Sequence, residues 1–396
     1  MMPVMLRDIS RDLALLFLVN VAFGLSMQMI NPLFPLFLGT LGANEAEASY
    51  VVSAGNLAAT LLMFPSGVVV DRFGKRLFLA LNAVVGAVTV YIMAYSGSWG
   101  TVLPLYVAYS LVGALFVPAR MAMVSENATL QNRALLFGLM NMAWPITGII
   151  SPVVSGLIVE ATGWRMVYLV SAAVSAVSLV PALMIRERKH EPGVARKAPD
   201  MRRLLERDTL RVLFVMCVAP FLMTTAIGAV NLVVPLYLAE VYGLTPFTIG
   251  LFFTASNLIT LVTQIPSGRL ADRYDPKRIL LVCTAVIPVF YALWGFTDNW
   301  ALLLVIYAVA TGLWSVTWPS NLTTLSTMVP RELQGAGFGI NATGLRLGFT
   351  VGPLIGGYLY GNFSSTSPFM FAAISTAMAL PIIYLLKNKN TNNIKK

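Results

Sequence analysis

Two short charged segments carry most of the chemistry this sequence could perform. Residues 65–76 read PSGVVVDRFGKR and residues 266–278 read PSGRLADRYDPKR, so a shift of 201 carries Gly67 to Gly268, Asp71 to Asp272 and Arg72 to Arg273. An aspartate in such a segment can accept hydrogen bonds from a helix N-terminus or a basic side chain, and a glycine lets a neighbouring backbone come close. That is the chemistry of a latch, made in one conformation and broken in another. Arg72, Arg76 and Arg273 supply its basic side and also anchor the loops at a membrane face. Asp275 and Pro276 stand where Gly74 and Lys75 stand in the first copy, which predicts the stronger latch at Asp71. Arg120 either pairs with the Asp71 region or reaches out to headgroups, and Glu126 is a further member of such a network. Asp71 and Glu126 are the candidate proton carriers.

Arg346 raises a different question. It stands about eleven residues into an apolar run, roughly 16 Å along a helix. A cation at that depth costs at least about 2.5 kcal/mol unless paired or hydrated, and no Asp or Glu lies equally deep in the sequence. Its partner is then water, backbone carbonyls, an Asn or an anionic ligand, so both a ligand contact and a structural hydrogen-bond role stay open. Other polar residues inside apolar runs mark a cavity, because hydrocarbon does not tolerate them. Gln28, Asn31, Asn56, Asn141, Asn231 and Asn257 belong to this set, as do Asn20, Gln264, Asn321 and Asn341. Tyr109, Trp144, Trp314 and Trp318 add aromatic surface, which with neighbouring methionines can repack around varied apolar guests. The same residues at helical spacing also serve as packing.

The elements that must position these residues are apolar. The chain is 57% hydrophobic and 11% charged, with a mean hydropathy of +0.77. A soluble protein carries about a quarter charged residues, so the bilayer is the expected solvent. Runs long enough to span it lie near 13–38, 49–69, 77–96, 101–124, 134–159, 166–185, 211–238, 247–268, 279–297, 301–326, 335–360 and 368–386. Spans 3, 6, 9 and 12 carry only Asn82 among Asn, Gln and charged types, which predicts that they face lipid while the others line the cavity. The division follows the repeat: a bundle over 1–185, a linker over 186–210 and a second bundle with a short tail over 211–396. The linker reads as a tether with a short amphipathic helix around Asp200–Arg207, and its His190 as solvated.

Charge placement excludes other classes. The net charge of +10 sits in alternate loops and the linker, and of 27 Lys and Arg only Arg165 falls in a loop of the opposite face. That pattern orients a membrane protein and predicts that both termini and the linker are cytoplasmic; it does not predict nucleic-acid binding. Cys217 and Cys283 lie in apolar runs and read as packing residues. No cleavable targeting segment, metal cluster, phosphate-cradling loop or nucleophile–base pair is legible, so no cofactor, no metal and no enzymatic activity are expected.

The paired loops now carry a resemblance. GVVVDRFGKR and GRLADRYDPKR are similar to the loop between helices 2 and 3 of major facilitator superfamily transporters, repeated between helices 8 and 9. GLRLGFTVGPLIGG resembles the glycine and proline motif that drug/proton antiporters of this superfamily carry on helix 5; here the fuller form is on span 11, and span 5 has the thinner GIISPVVSG. Such antiporters carry an arginine four residues before a glycine of helix 4, where this chain has Tyr109 before Gly113. The resemblance implies an all-α membrane fold of twelve transmembrane helices in two pseudo-symmetric six-helix bundles that rock by turns around a central site. It implies a secondary transporter, with proton-coupled efflux of amphipathic compounds as the first expectation and carriage of a small organic anion at Arg346 as the alternative. A monomer in a prokaryotic plasma membrane is expected, with a small-molecule substrate, the lipid bilayer and protons as its partners.

Overall fold

The computed structural model describes residues 10–127, 133–187, 206–330 and 333–386, and the regular structure among them is helical. Twelve helices follow one another: α1 Arg11–Thr40, α2 Glu45–Phe73, α3 Lys75–Met93, α4 Trp99–Asn127, α5 Arg133–Thr162, α6 Trp164–Met184, α7 Arg207–Tyr242, α8 Pro246–Arg273, α9 Pro276–Phe296, α10 Trp300–Met328, α11 Gln334–Asn362 and α12 Ser367–Tyr384. Ten of them are each long and apolar enough to cross a membrane, and α2, bent near Pro65, makes an eleventh. The twelfth, α11, is 29 residues long, and its glycines and Arg346 dilute its apolar content. Each of the twelve runs read from the sequence falls on one of these helices, and eleven of the helices have the length and apolarity of a span. The expected helix near Asp200–Arg207 and His190 lie outside the described residues, apart from Glu206 and Arg207 themselves.

Local chemistry explains the ends. Ser10 accepts the Leu13 N–H at 3.3 Å to start α1. Asn44 and Glu47 form a reciprocal capping box at the start of α2, both bonds 2.9 Å, which satisfies two N–H groups that no helix can satisfy itself. α1 breaks at a 3-10 turn over Asn31–Leu33, where Pro32 and Pro35 remove donors from the ladder. Interior prolines recur at 65, 104, 118, 145, 152, 266, 288, 319, 353 and 381, a tolerance usual where helices are packed in lipid.

Packing divides the chain into two compact units, Met1–Glu191 with Val234–Leu258, and Pro192–Val233 with Ile259–Lys396. The boundaries fall inside α7 and α8, so the α7–α8 turn packs with the first half of the chain. Within unit 1, Phe34 stacks on Tyr106 at 4.4 Å and Phe37 meets Tyr168 at 4.2 Å. Ser26 of α1 bonds Ser171 and Ser175 of α6, each at 2.8 Å, the small-residue contact that joins helices without a hydrophobic drive. Within unit 2, Trp294 stacks on Phe369 at 4.3 Å between α9 and α12. Val68, Val177, Val282 and Ile374 project from the units as large exposed apolar side chains, suited to lipid. Both cysteines are free and lie in unit 2, with Cys283 buried.

Candidate functional site

The loop after α2 is fastened to its own bundle. Gly74 holds a φ of +93°, a conformation that favours glycine, and turns the chain directly into α3. The first free N–H of α3, on Lys75, donates to Glu187 Oε1 at 2.7 Å, so a carboxylate from the chain beyond α6 caps this helix. The Lys75 ammonium is buried and pairs with Glu126 at the end of α4. Arg76 donates to the Leu183 carbonyl of α6. Nothing in the repeat pointed to Glu187, because it has no partner in the second copy; only its place just after α6 could have marked it.

The second loop reaches the same end by different means. Asp275 accepts the Lys277 N–H at 3.1 Å, capping α9 from within, and Pro276 occupies the first helical position where no donor is needed. Lys277 is buried like Lys75 and donates to the Leu386 carbonyl beyond α12. The structural counterpart of Lys75 is therefore Lys277, one residue beyond the constant shift. Asp275 and Pro276, expected as a weakening of the second loop, are its helix cap.

Of the expected latch residues Arg76 is fastened within unit 1, while Asp71, Arg72 and Arg273 take no part in these contacts. Asp71, Arg72 and Arg273 are exposed. Among the described residues Asp71 has no hydrogen bond or ion pair, and Arg72 lies 5.7 Å from the Phe73 ring. Among the described residues a Cβ built at Gly67 or Gly268 meets nothing within 4 Å. The Asp272 side chain lies outside those described. Glu126 joins the loop through Lys75, and Arg120 does not pair with Asp71.

Arg120 instead completes a polar strap inside unit 1. Its Nη1 donates to Asn20 Oδ1 at 3.0 Å and to the Met140 carbonyl at 3.4 Å, and its Nη2 reaches Asn141 Oδ1 at 3.5 Å. Asn20 Nδ2 itself donates to Met140 O at 2.7 Å, tying α1 to α5. Unit 2 carries the counterpart: Asn341 Nδ2 donates to Met216 O at 2.9 Å, tying α11 to α7, while Asn321 Nδ2 donates to Asn341 Oδ1 at 3.3 Å. Each buried amide uses both its ends, so neither helix pair leaves a donor stranded in the apolar interior.

Glycines set two close helix contacts. Along α11, Gly344, Gly348, Gly352 and Gly356 lie against the α7 backbone: a Cβ at Gly348 would stand 2.6 Å from Phe221 O, and one at Gly356 2.8 Å from Ala229 Cα. Within unit 1, α5 meets α8 in the same way. A Cβ at Gly156 would stand 2.5 Å from Phe247 Cα, and one at Gly250 2.5 Å from Pro152 O. Asn257 lies against Gly148, its Nδ2 donating to Phe253 O at 2.8 Å, and Thr254 donates to Ile149 O at 2.7 Å across this seam.

The remaining cavity-lining expectations separate by burial. Gln28 and Tyr109 lie inside unit 1, 7% and 4% exposed, with Tyr109 part of the aromatic core; they pack and line no open surface here. Asn31 stands at the α1 break, and Asn56 accepts the Thr60 hydroxyl at its carbonyl. Asn141 and Trp144 are exposed on α5. Asn231 accepts from Tyr307 at 3.3 Å. Trp314 and Trp318, 5.9 Å apart, line a cleft of unit 2 with Met216, Met223, Leu280 and Asn321. Its enclosed space is about 30 Å³ in this conformation. Arg346 is partly buried, and among the described residues its guanidinium has no hydrogen bond or ion pair.

Twelve helices, duplicated loops and polar straps hidden in apolar bundles describe a multispan membrane carrier. The sequence profile of the Major Facilitator Superfamily matches residues 16–226 and again 216–396, and the chain belongs to that superfamily of transporters. Multidrug resistance protein 2 of Bacillus subtilis is 24% identical, the match covering 94% of each chain. Quinolone resistance protein NorA of Staphylococcus aureus is 20% identical over 96% of each. Among solved structures, the nucleoside transporter NupG superposes with a TM-score of 0.76 at 15% identity, covering 96% of this chain and all of that one. A bacterial homologue of the lysosomal transporter Spinster, in an inward-facing and occupied conformation, gives 0.73 at 11% identity over 94% and 93%. These likenesses support the fold; they do not name a solute.

Proposed function

We propose that this transporter exports small amphipathic organic compounds in exchange for protons, by alternating access. The observation that carries the reading is the cleft of unit 2, whose Trp314, Trp318, Met216 and Met223 offer a soft, largely apolar lining. Thr317 and Thr224 contribute hydroxyls already bonded to their own helix, so the lining imposes few directional demands on a guest. The relatives named for multidrug and quinolone resistance, matched over almost their whole length, support the same solute class.

In this reading the fastened loops lie on the cytoplasmic side, and Asp71 with Arg72 engages only when that side closes. The Lys75 clamp holds them ready. Asp71 and Glu126 are the proton carriers; protonating Glu126 would remove the counterion of a buried lysine and so loosen the loop. Each chain works as a monomer.

A second reading, a small organic anion held at Arg346, is favoured by that guanidinium having no partner among the described residues. Proteoliposomes with an imposed pH gradient separate the two. The first reading expects gradient-dependent movement of cationic and neutral aromatic dyes, with Trp318→Ala lowering kcat/KM by about three- to tenfold. Movement of organic acids alone, abolished by Arg346→Ala and partly kept by Arg346→Lys, establishes the second reading and removes the first.

A further inference from the structure

Glu160 stands in the last turn of α5, where a carboxylate opposes the dipole of its own helix. Its side chain is exposed, yet it is not idle. Glu160 Oε1 accepts the Phe247 N–H at 2.9 Å, at the start of α8. α8 needs such a partner: Pro246 has no N–H, and the hydroxyl oxygen of Thr245, just ahead of it, accepts the Thr248 N–H only at 3.4 Å. The contact joins a helix of the first sequence half to one of the second, at the end of unit 1 opposite the Asp71 loop.

The surroundings make the contact conditional. Directly beneath it Gly156 and Gly250 bring the two backbones together, with Gly156 facing Pro246 O and Phe247 Cα at 2.5 Å from a notional Cβ. The Phe247 N–H can reach Glu160 only while that seam is shut. Any movement that parts α5 from α8 strands a carboxylate at the wrong end of α5 and a free donor at the start of α8. Both costs appear together and vanish together, which is the property of a bistable catch.

We propose that Glu160 is the positioning residue of a second latch, a carboxylate-on-helix clasp that holds the end opposite the Asp71 loop closed and must release once in every transport cycle. It and the Asp71 latch then oppose one another, each stabilising closure of its own end. The seam is the same whichever solute is carried.

The test measures a distance distribution rather than transport. Spin labels at Leu157→Cys and Val241→Cys, both exposed positions at this end, are introduced with Cys217 and Cys283 replaced by alanine, and read by pulsed electron resonance in nanodiscs. With Glu160 intact the short-distance population dominates. Glu160→Gln, which removes the charge from the α8 N-terminus, is expected to shift the ratio of long to short distances by about two- to fivefold, and Glu160→Ala by at least as much. The shift in ratio, read well below the unfolding temperature, separates a clasp from a structural prop, whose loss lowers the melting temperature without moving the ratio. Gly156→Ala, whose Cβ has backbone on its far side, serves as the wedge that shows how far the long population can move. If Gly156→Ala shifts the distribution while Glu160→Gln and Glu160→Ala leave it where it was, Glu160 is not a latch.

Discussion

A buried lysine with one carboxylate on its side chain and another on its backbone N–H is an expensive arrangement to disturb. Lys75 has 4% of its side chain exposed and Glu126 20%, so removing either counter-charge leaves an ion in a poor medium. Glu126→Gln is expected to lower stability by about 3 kcal/mol, and Glu187→Ala by about 1–2 kcal/mol through loss of the α3 cap. Thermal unfolding in detergent checks both, and Glu187→Ala matching the parent would remove Glu187 from the clamp. The residue scale is also where sequence reading had most difficulty. Asp71 and Glu126 were legible as charges at span ends, and Glu126 pairs with a residue of the Asp71 loop, Lys75. Glu187 was not legible, since a glutamate in a charged linker looks like any solvated one. Arg120 was visible as an intramembrane cation, but its acceptors Asn20, Met140 and Asn141 depend on how α1 and α5 pack beside α4.

Two helix pairs of this protein, α7 with α11 and α5 with α8, meet through glycine. At Gly348 even a methyl group would press on Phe221 O, a backbone atom that cannot move alone, whereas at Gly67 it would meet open space. Gly348→Ala is therefore expected to lose at least about 2 kcal/mol or fail to fold, by the overpacking mechanism. Gly67→Ala should hold or gain up to about 1 kcal/mol from helix propensity. The two are compared by melting temperature; Gly67→Ala should also slow transport severalfold if its helix is approached in the closed state. At this scale the glycine pattern of span 11 was legible as a close-packing face. Its partner was not, because the sequence gives spacing along one helix and says nothing of which neighbour lies against it. The α8–α9 loop shows a related limit. A constant shift of 201 put Pro276 over Lys75, and one inserted residue changed an apparent defect into the cap of α9.

For the whole molecule, the length and order of the apolar runs already specified twelve helices, since the bilayer dictates both. The grouping of Val234–Leu258 with the first half of the chain was beyond reach, because it arises from the α5–α8 seam and not from any property of the segment itself. The proposed alternating cycle makes one demand at this scale. Asp71→Asn should leave the melting temperature and expression unchanged, as the side chain makes no hydrogen bond or ion pair among the described residues, while lowering the transport rate by about tenfold or more. Unchanged transport by Asp71→Asn in the same vesicles would remove the loop from the mechanism.

The two straps make one connection from opposite sides. In unit 1 the bridging amide grows from α1 and takes a carbonyl of α5; in unit 2 it grows from α11, the repeat mate of α5, and takes a carbonyl of α7, the mate of α1. The amide sits on opposite members of the helix pair in the two halves, while the bond between the helices is the same. The halves share the connection and not the residue that makes it, so comparing them position by position sets Met140 over Asn341 and passes over the common feature.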